Sequence, residues 1–104
     1  MYRMTVLYGR PEDPDAFDRY YREVHIPIAA GMGLTRWTLT WPTEQDGELT
    51  PPIHLVADLF AESKEAMDAI LASDAGQAAS ADVPNFATGG VTFLQGVEEE
   101  VPSA

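Results

Sequence analysis

Three observations predict an α+β fold in which a four-stranded antiparallel sheet carries its helices on one face. Short segments at the start, middle and end of the chain alternate apolar and polar residues with a period of two, as half-buried strands do. Two intervening segments repeat apolar residues at helical spacing, and the resulting order is β-α-β-β-α-β. At 104 residues the chain fits a single domain spanning 1–104.

The first strand is read over Tyr2 to Tyr8, with Tyr2, Met4, Val6 and Tyr8 on one face and Arg3, Thr5 and Leu7 on the other. Asp13-Pro14 supplies an N-cap and a proline at the first helical position. The helix that follows presents Phe17, Tyr20, Tyr21, Val24 and Ile28 as one stripe, and Pro27 is expected to kink or end it. Thr35 to Trp41 is rich in β-formers, with Trp37, Leu39 and Trp41 opposite Arg36, Thr38 and Thr40.

The polar stretch from Pro42 to Pro52, which contains Asp46-Gly47, reads as a long hairpin connection. A third strand over Ile53 to Phe60 places Ile53, Leu55, Ala57 and Leu59 on an apolar face, and His54, Val56, Asp58 and Phe60 on a mixed one. Ser63 caps a second helix through about Ala72, with Ala66, Met67, Ile70 and Leu71 as its buried stripe. Ala75 to Ala81 is read as one or two further helical turns, and Val91 to Leu94 as a fourth strand. The acidic tail from about Glu98 is expected to fray.

This order is the split βαβ, ferredoxin-like arrangement. Its second sheet face has no cover within the chain, yet it carries Leu7, Val56 and Phe60 beside Thr38 and Thr40. Large apolar groups on an open face mark a partner surface, so a homodimer through the sheet face is expected.

With 17 acidic against 6 basic residues the net charge is -11, which argues against a nucleic-acid or anionic membrane partner. No segment approaches the roughly 20 apolar residues of a membrane span, and Met1 to Val6 lacks a signal-peptide core. A chain without cysteine has no disulfide or thiolate chemistry, and a cytoplasmic location is the expectation.

The segment richest in chemistry is Tyr21-Arg22-Glu23-Val24-His25-Ile26-Pro27-Ile28, where a histidine follows a tyrosine by four residues beside the buried stripe. An imidazole reaching between helix and sheet can act as acid or base near neutral pH. The ordinary alternative is a core-edge histidine bonded to a carbonyl. Tyr8, Trp37, Phe60 and Phe86 belong to an aromatic set suited to a flat apolar ligand, although aromatics also simply fill cores. His54 and Asp58 on one strand face stand roughly 13 Å apart, too far to share an ion, and no metal site is assigned. Gly31-Met32-Gly33 lacks the context of a dinucleotide fingerprint, and no serine sits in a nucleophile elbow.

Three stretches resemble the EthD family, named for a protein associated with ethyl tert-butyl ether degradation. They are the helix ending in Tyr21 to Ile28, similar to the family's tyrosine followed by His-x-Pro-hydrophobic, the turn Met32-Gly33-Leu34, and the run from Ala75 through Asp82-Val83-Pro84-Asn85-Phe86 to Val91. The family turn usually reads Met-Pro-Gly-Leu, and here the proline is missing. The resemblance implies a dimeric α+β barrel made of two such sheets. It also implies a small cytosolic oxidoreductase, of reductase or cofactor-free monooxygenase type, acting on a hydrophobic cyclic or aromatic compound. His25 would be its acid or base and Tyr21 or Tyr8 would orient an oxygen. Similar barrels include isomerases, dehydratases and haem-handling proteins, and a non-catalytic binder of hydrophobic ligands is a further alternative. No cofactor motif is evident, with haem and flavin left open.

Overall fold

The computed structural model describes residues 1–103. Strands β1 (Tyr2–Gly9), β2 (Arg36–Thr40), β3 (Ile53–Ala61) and β4 (Val91–Val97) form one sheet in the order β2-β3-β1-β4, with every neighbouring pair antiparallel. The chain enters its first helix, α1 (Pro14–Tyr20), through Asp13, whose carboxylate accepts from the Ala16 N–H at 3.1 Å. Ser63 does the same for α3 (Lys64–Ala72), and Ser73 both ends α3 and caps α4 (Asp74–Asp82). The predicted one or two turns after Ala75 are thus a helix of nine residues, and β4 runs three residues beyond Leu94.

Between α1 and the short helix α2 (Ile26–Ala29), residues Tyr21–His25 form a π-helical turn. Pro27 explains it. Proline has no N–H and its ring crowds the carbonyl four residues back, so the ladder loosens just ahead of it. The Ile26 N–H bonds Tyr21 O instead, a five-residue step. Pro27 therefore neither ends nor breaks the helical run.

The wider turn rotates the buried stripe. Phe17, Tyr21, His25 and Ala29 face the core at intervals of four, whereas Val24, expected inside, is 37% exposed and Ile28 only half-buried. A regular helix drifts by about 40° over each four-residue interval. The extra residue in the π turn takes up that drift and brings His25 inward.

A second departure lies in β3. Its register with β1 runs Tyr8 to Leu55 and then Gly9 to Ile53, leaving His54 as the additional residue of a bulge. The bulge carries His54 to the helix side, where its ring meets Phe17 and Trp41 and its Nε2 lies 2.7 Å from Asp18 Oδ1 on α1. Asp58 stays on the open face, where it accepts from Thr5 Oγ1 at 2.6 Å and lies 3.8 Å from Arg3. The expectation that His54 and Asp58 share a face is therefore overturned.

The core lies between the sheet and the helices and is built from Met4, Val6, Tyr8, Leu55, Ala57, Leu59, Met67 and the α1 stripe. On the open face Phe60 is buried although no helix covers it. Arg3 on β1 and Arg36 on β2 are its direct neighbours across the strands, and their guanidinium groups lie over its ring at 5.7 and 5.4 Å. The tail is not wholly frayed, since the Glu98 N–H donates to Met1 O and its carboxylate pairs with Arg3 at 3.3 Å.

The helices α3 and α4 meet where only a glycine fits: a Cβ on Gly76 would lie 2.2 Å from Ile70 O and 2.8 Å from the Leu71 Cα. Gly76→Ala is expected to lower unfolding free energy by about 1–3 kcal/mol. Gly96→Ala, in open space on β4, should stay within about 0.5 kcal/mol of the parent, and urea titration of the two variants checks the contrast.

Candidate functional site

Two helical segments bring the polar heart of the molecule together. The π turn presents His25 toward the last turn of α4, where Asp82 is 6% exposed, and His25 Nδ1 lies 2.9 Å from Asp82 Oδ2. The other carboxylate oxygen accepts from the Tyr20 hydroxyl at 2.6 Å and from Asn85 Nδ2 at 3.0 Å. A carboxylate taken out of water requires such donors to remain ionised. Burial alone would raise the Asp82 pKa, but bonds from Tyr20, Asn85 and His25 outweigh it and hold the carboxyl below the usual range. Its bond to Asp82 is in turn the main reason the Tyr20 phenol is raised.

His25 shifts the opposite way from a simple ion pair. Burial pushes the imidazole below its ordinary value, and the attraction of Asp82 opposes this only in part. At neutral pH the ring is neutral, Nδ1–H donates to the carboxylate, and Nε2 keeps its lone pair. No protein group among the described residues bonds Nε2. Phe86 and Tyr21 pack on the ring at 4.7 and 5.0 Å between centroids and fix its plane.

Beyond His25 is a hollow of about 40 Å³ lined by Tyr8, Tyr21, Trp37, Val6, Met4 and Phe93 among others. It shares the wall residues Met4, Leu71, Ser80, Val83 and Phe93 with an adjoining open groove of about 410 Å³ beside β4. The Tyr8 and Tyr21 phenols are both pushed far up, by burial first, so they stay protonated donors. Among the described residues neither hydroxyl closes a hydrogen bond, although the Trp37 indole stands near enough to Tyr21 to oppose its shift in part. Trp37 Nε1 is buried and closes no hydrogen bond among the described residues.

The structure thus brings together His25, Tyr21, Tyr8 and Trp37, and the missing proline of the Met32-Gly33-Leu34 turn does not keep Trp37 away, because Gly33 makes the turn at φ 80°. It does not bring Phe60, which lies across the sheet beneath two arginines. Phe86 supports the back of His25, within a cluster with Tyr8, Phe17 and Tyr21, and does not line the hollow. Sequence reasoning missed Asp82 and Asn85 and the role of Tyr20. The signal was an acidic residue directly ahead of Val83-Pro84 in an otherwise alanine-rich run. Among the described residues no three His, Asp or Glu side chains gather as a metal site, and no helix is long and apolar enough to cross a membrane.

Comparison with known proteins agrees with this architecture. The EthD domain family model matches residues 10–90. An uncharacterized 11.0 kDa protein from the thcB-thcC intergenic region of Rhodococcus erythropolis is 41% identical over 102 residues, covering 97% of this chain and 98% of that protein. The crystal structure of an ethyl tert-butyl ether degradation (EthD) family protein from Bacillus halodurans superposes with a TM-score of 0.85 at 26% identity, covering 95% and 99% of the two chains. A candidate antibiotic biosynthesis monooxygenase from Deinococcus radiodurans, at 14% identity, shares the fold with a TM-score of 0.70 over 100% of this chain and 98% of its own. Matched over most of its length and at the segments that carry His25 and Asp82, the chain belongs to the EthD family.

Proposed function

We propose that the protein is a small EthD-type oxidoreductase acting on a hydrophobic cyclic or aromatic compound, with His25 as the acid or base and Tyr21 and Tyr8 orienting the substrate's oxygen. One observation carries this reading: a neutral imidazole, oriented through Nδ1 by a buried carboxylate, leaves its basic Nε2 free beside a hollow that opens onto an apolar groove. Removal of a proton from an electron-rich ring makes it a better reductant, the property a cofactor-free monooxygenase needs before dioxygen can attack. The monooxygenase-like fold neighbour supports placing the chemistry in that class. The same dyad supports an isomerase or dehydratase, which uses the proton transfer without dioxygen. A carrier without catalysis would use only the apolar groove.

The partners of this reading are a small hydrophobic molecule and a second copy of the chain. A homodimer through the open sheet face is supported by Leu7 and Val56 lying half-buried with no helix above them. Light scattering is expected to give the mass of two 11.4 kDa chains, and Val56→Lys should shift it to that of one. A monomeric parent protein would reject the dimer.

With an identified substrate, His25→Ala is expected to lower kcat by about 10²–10⁴-fold. Undiminished turnover would remove His25 from the mechanism, and binding without any conversion by the parent protein would make it a carrier. The pH profile gives a separate check. Because the folded protein holds His25 below its ordinary 6.5, the base form persists into mild acid and the acid limb of kcat/KM should fall below pH 6.5. Asp82 raises the His25 pKa, so Asp82→Asn should move that limb further down while lowering the rate. Imidazole nitrogen shifts followed by NMR report the same titration directly.

A further inference from the structure

Among the described residues the buried Trp37 indole N–H closes no hydrogen bond, and a buried donor left unsatisfied is costly and uncommon. It lies beside the Tyr21 hydroxyl, at the hollow into which Tyr8 and His25 also face. Apart from Nε2 of His25, the polar side chains that line this space, those of Tyr8, Tyr21, Trp37 and Ser80, end in N–H or O–H groups. At about 40 Å³ the hollow has room for a water-sized group and not for a ring. A ring fits only in the adjoining groove of about 410 Å³, whose walls include Leu71, Val83 and Phe93. Phe93 is 51% exposed although it lies opposite Val6 on the helix side of the sheet.

We propose that Trp37 Nε1–H is a ligand-binding donor, and that the hollow takes one hydroxyl oxygen of a phenol or enol whose apolar body lies in the groove along Phe93. The pairing of groups selects this class. A phenolic or enolic hydroxyl accepts a bond from the Trp37 N–H and donates its own hydrogen to His25 Nε2. A carbonyl accepts but has nothing to donate to Nε2, and a hydrocarbon satisfies neither. The inference rests on the reading of the hollow as the substrate site and narrows it to a substrate class and a specificity-determining residue.

The test uses 2-naphthol and naphthalene, two probes of nearly the same shape that differ by one oxygen. In ¹H–¹⁵N spectra of the parent protein, 2-naphthol should move the Trp37 indole proton downfield and naphthalene should not, the resonance being assigned by its loss in Trp37→Phe. By calorimetry the affinity ratio of 2-naphthol to naphthalene should fall about tenfold in Trp37→Phe, with naphthalene itself little changed. Tyr21→Phe, which removes a neighbouring hydroxyl and leaves the indole in place, should retain the Trp37 shift. If both probes bind and neither the shift nor the ratio depends on the indole, the oxygen site is overturned while the apolar substrate site stands. If neither probe binds, both readings fall together.

Discussion

The structure turns on one carboxylate. Asp82 is removed from water at the end of α4, and it stays ionised because three side chains from two separate regions of the chain point donors at it. Tyr20 and His25 come from the first helical run and Asn85 from the turn after α4. The bond set therefore holds together helical segments about sixty residues apart in sequence, in the layer that covers the sheet. It also sets the imidazole's tautomer, so that a fold-holding network and the preparation of a base are the same set of contacts.

The π turn makes that set possible. Were Tyr21–His25 wound as regular α-helix, Val24 would share the inward face and His25 would sit at its flank. Pro27 forbids the regular ladder at the right place, and the loosened turn exposes an aliphatic residue in exchange for burying an ionisable one. A hydrophobic side chain at the surface costs little compared with an unpaired buried polar group, and here the buried group is paired. Phe86, 4.7 Å from the imidazole, completes the arrangement by closing one side of the ring against water.

Most of the fold was legible in the sequence because strands β1, β2 and β3 alternate cleanly and Asp13, Ser63 and Pro14 mark helix starts. Two errors have the same origin. Strict periodicity mispredicted Val24 and His54, and each lies at an insertion into a regular ladder, one in a helix and one in a strand. Periodic reasoning carries no register for such insertions. The site was half legible: His25 and Tyr21 announced themselves by spacing, and Tyr8 and Trp37 by residue type. Asp82 did not, because its partners come from far along the chain and no local pattern marks an acid that will be buried. Phe60 lies on the open face where the alternation put it, but its grouping with the site aromatics rested on residue type alone, which carries no information about the face.

Those neighbours give the open face an unusual finish. Two guanidinium planes bracket Phe60, so its most adhesive ring is shielded by groups that keep their own hydration on the outer side. Arg3 is further held by Asp58 and Glu98, which keeps one of these shields in place. A newly folded chain thus presents a wet, charged layer over part of the sheet rather than a bare aromatic. Chance adhesion to unrelated chains is suppressed, and any lasting association on this face has to be specific enough to accommodate these two cations.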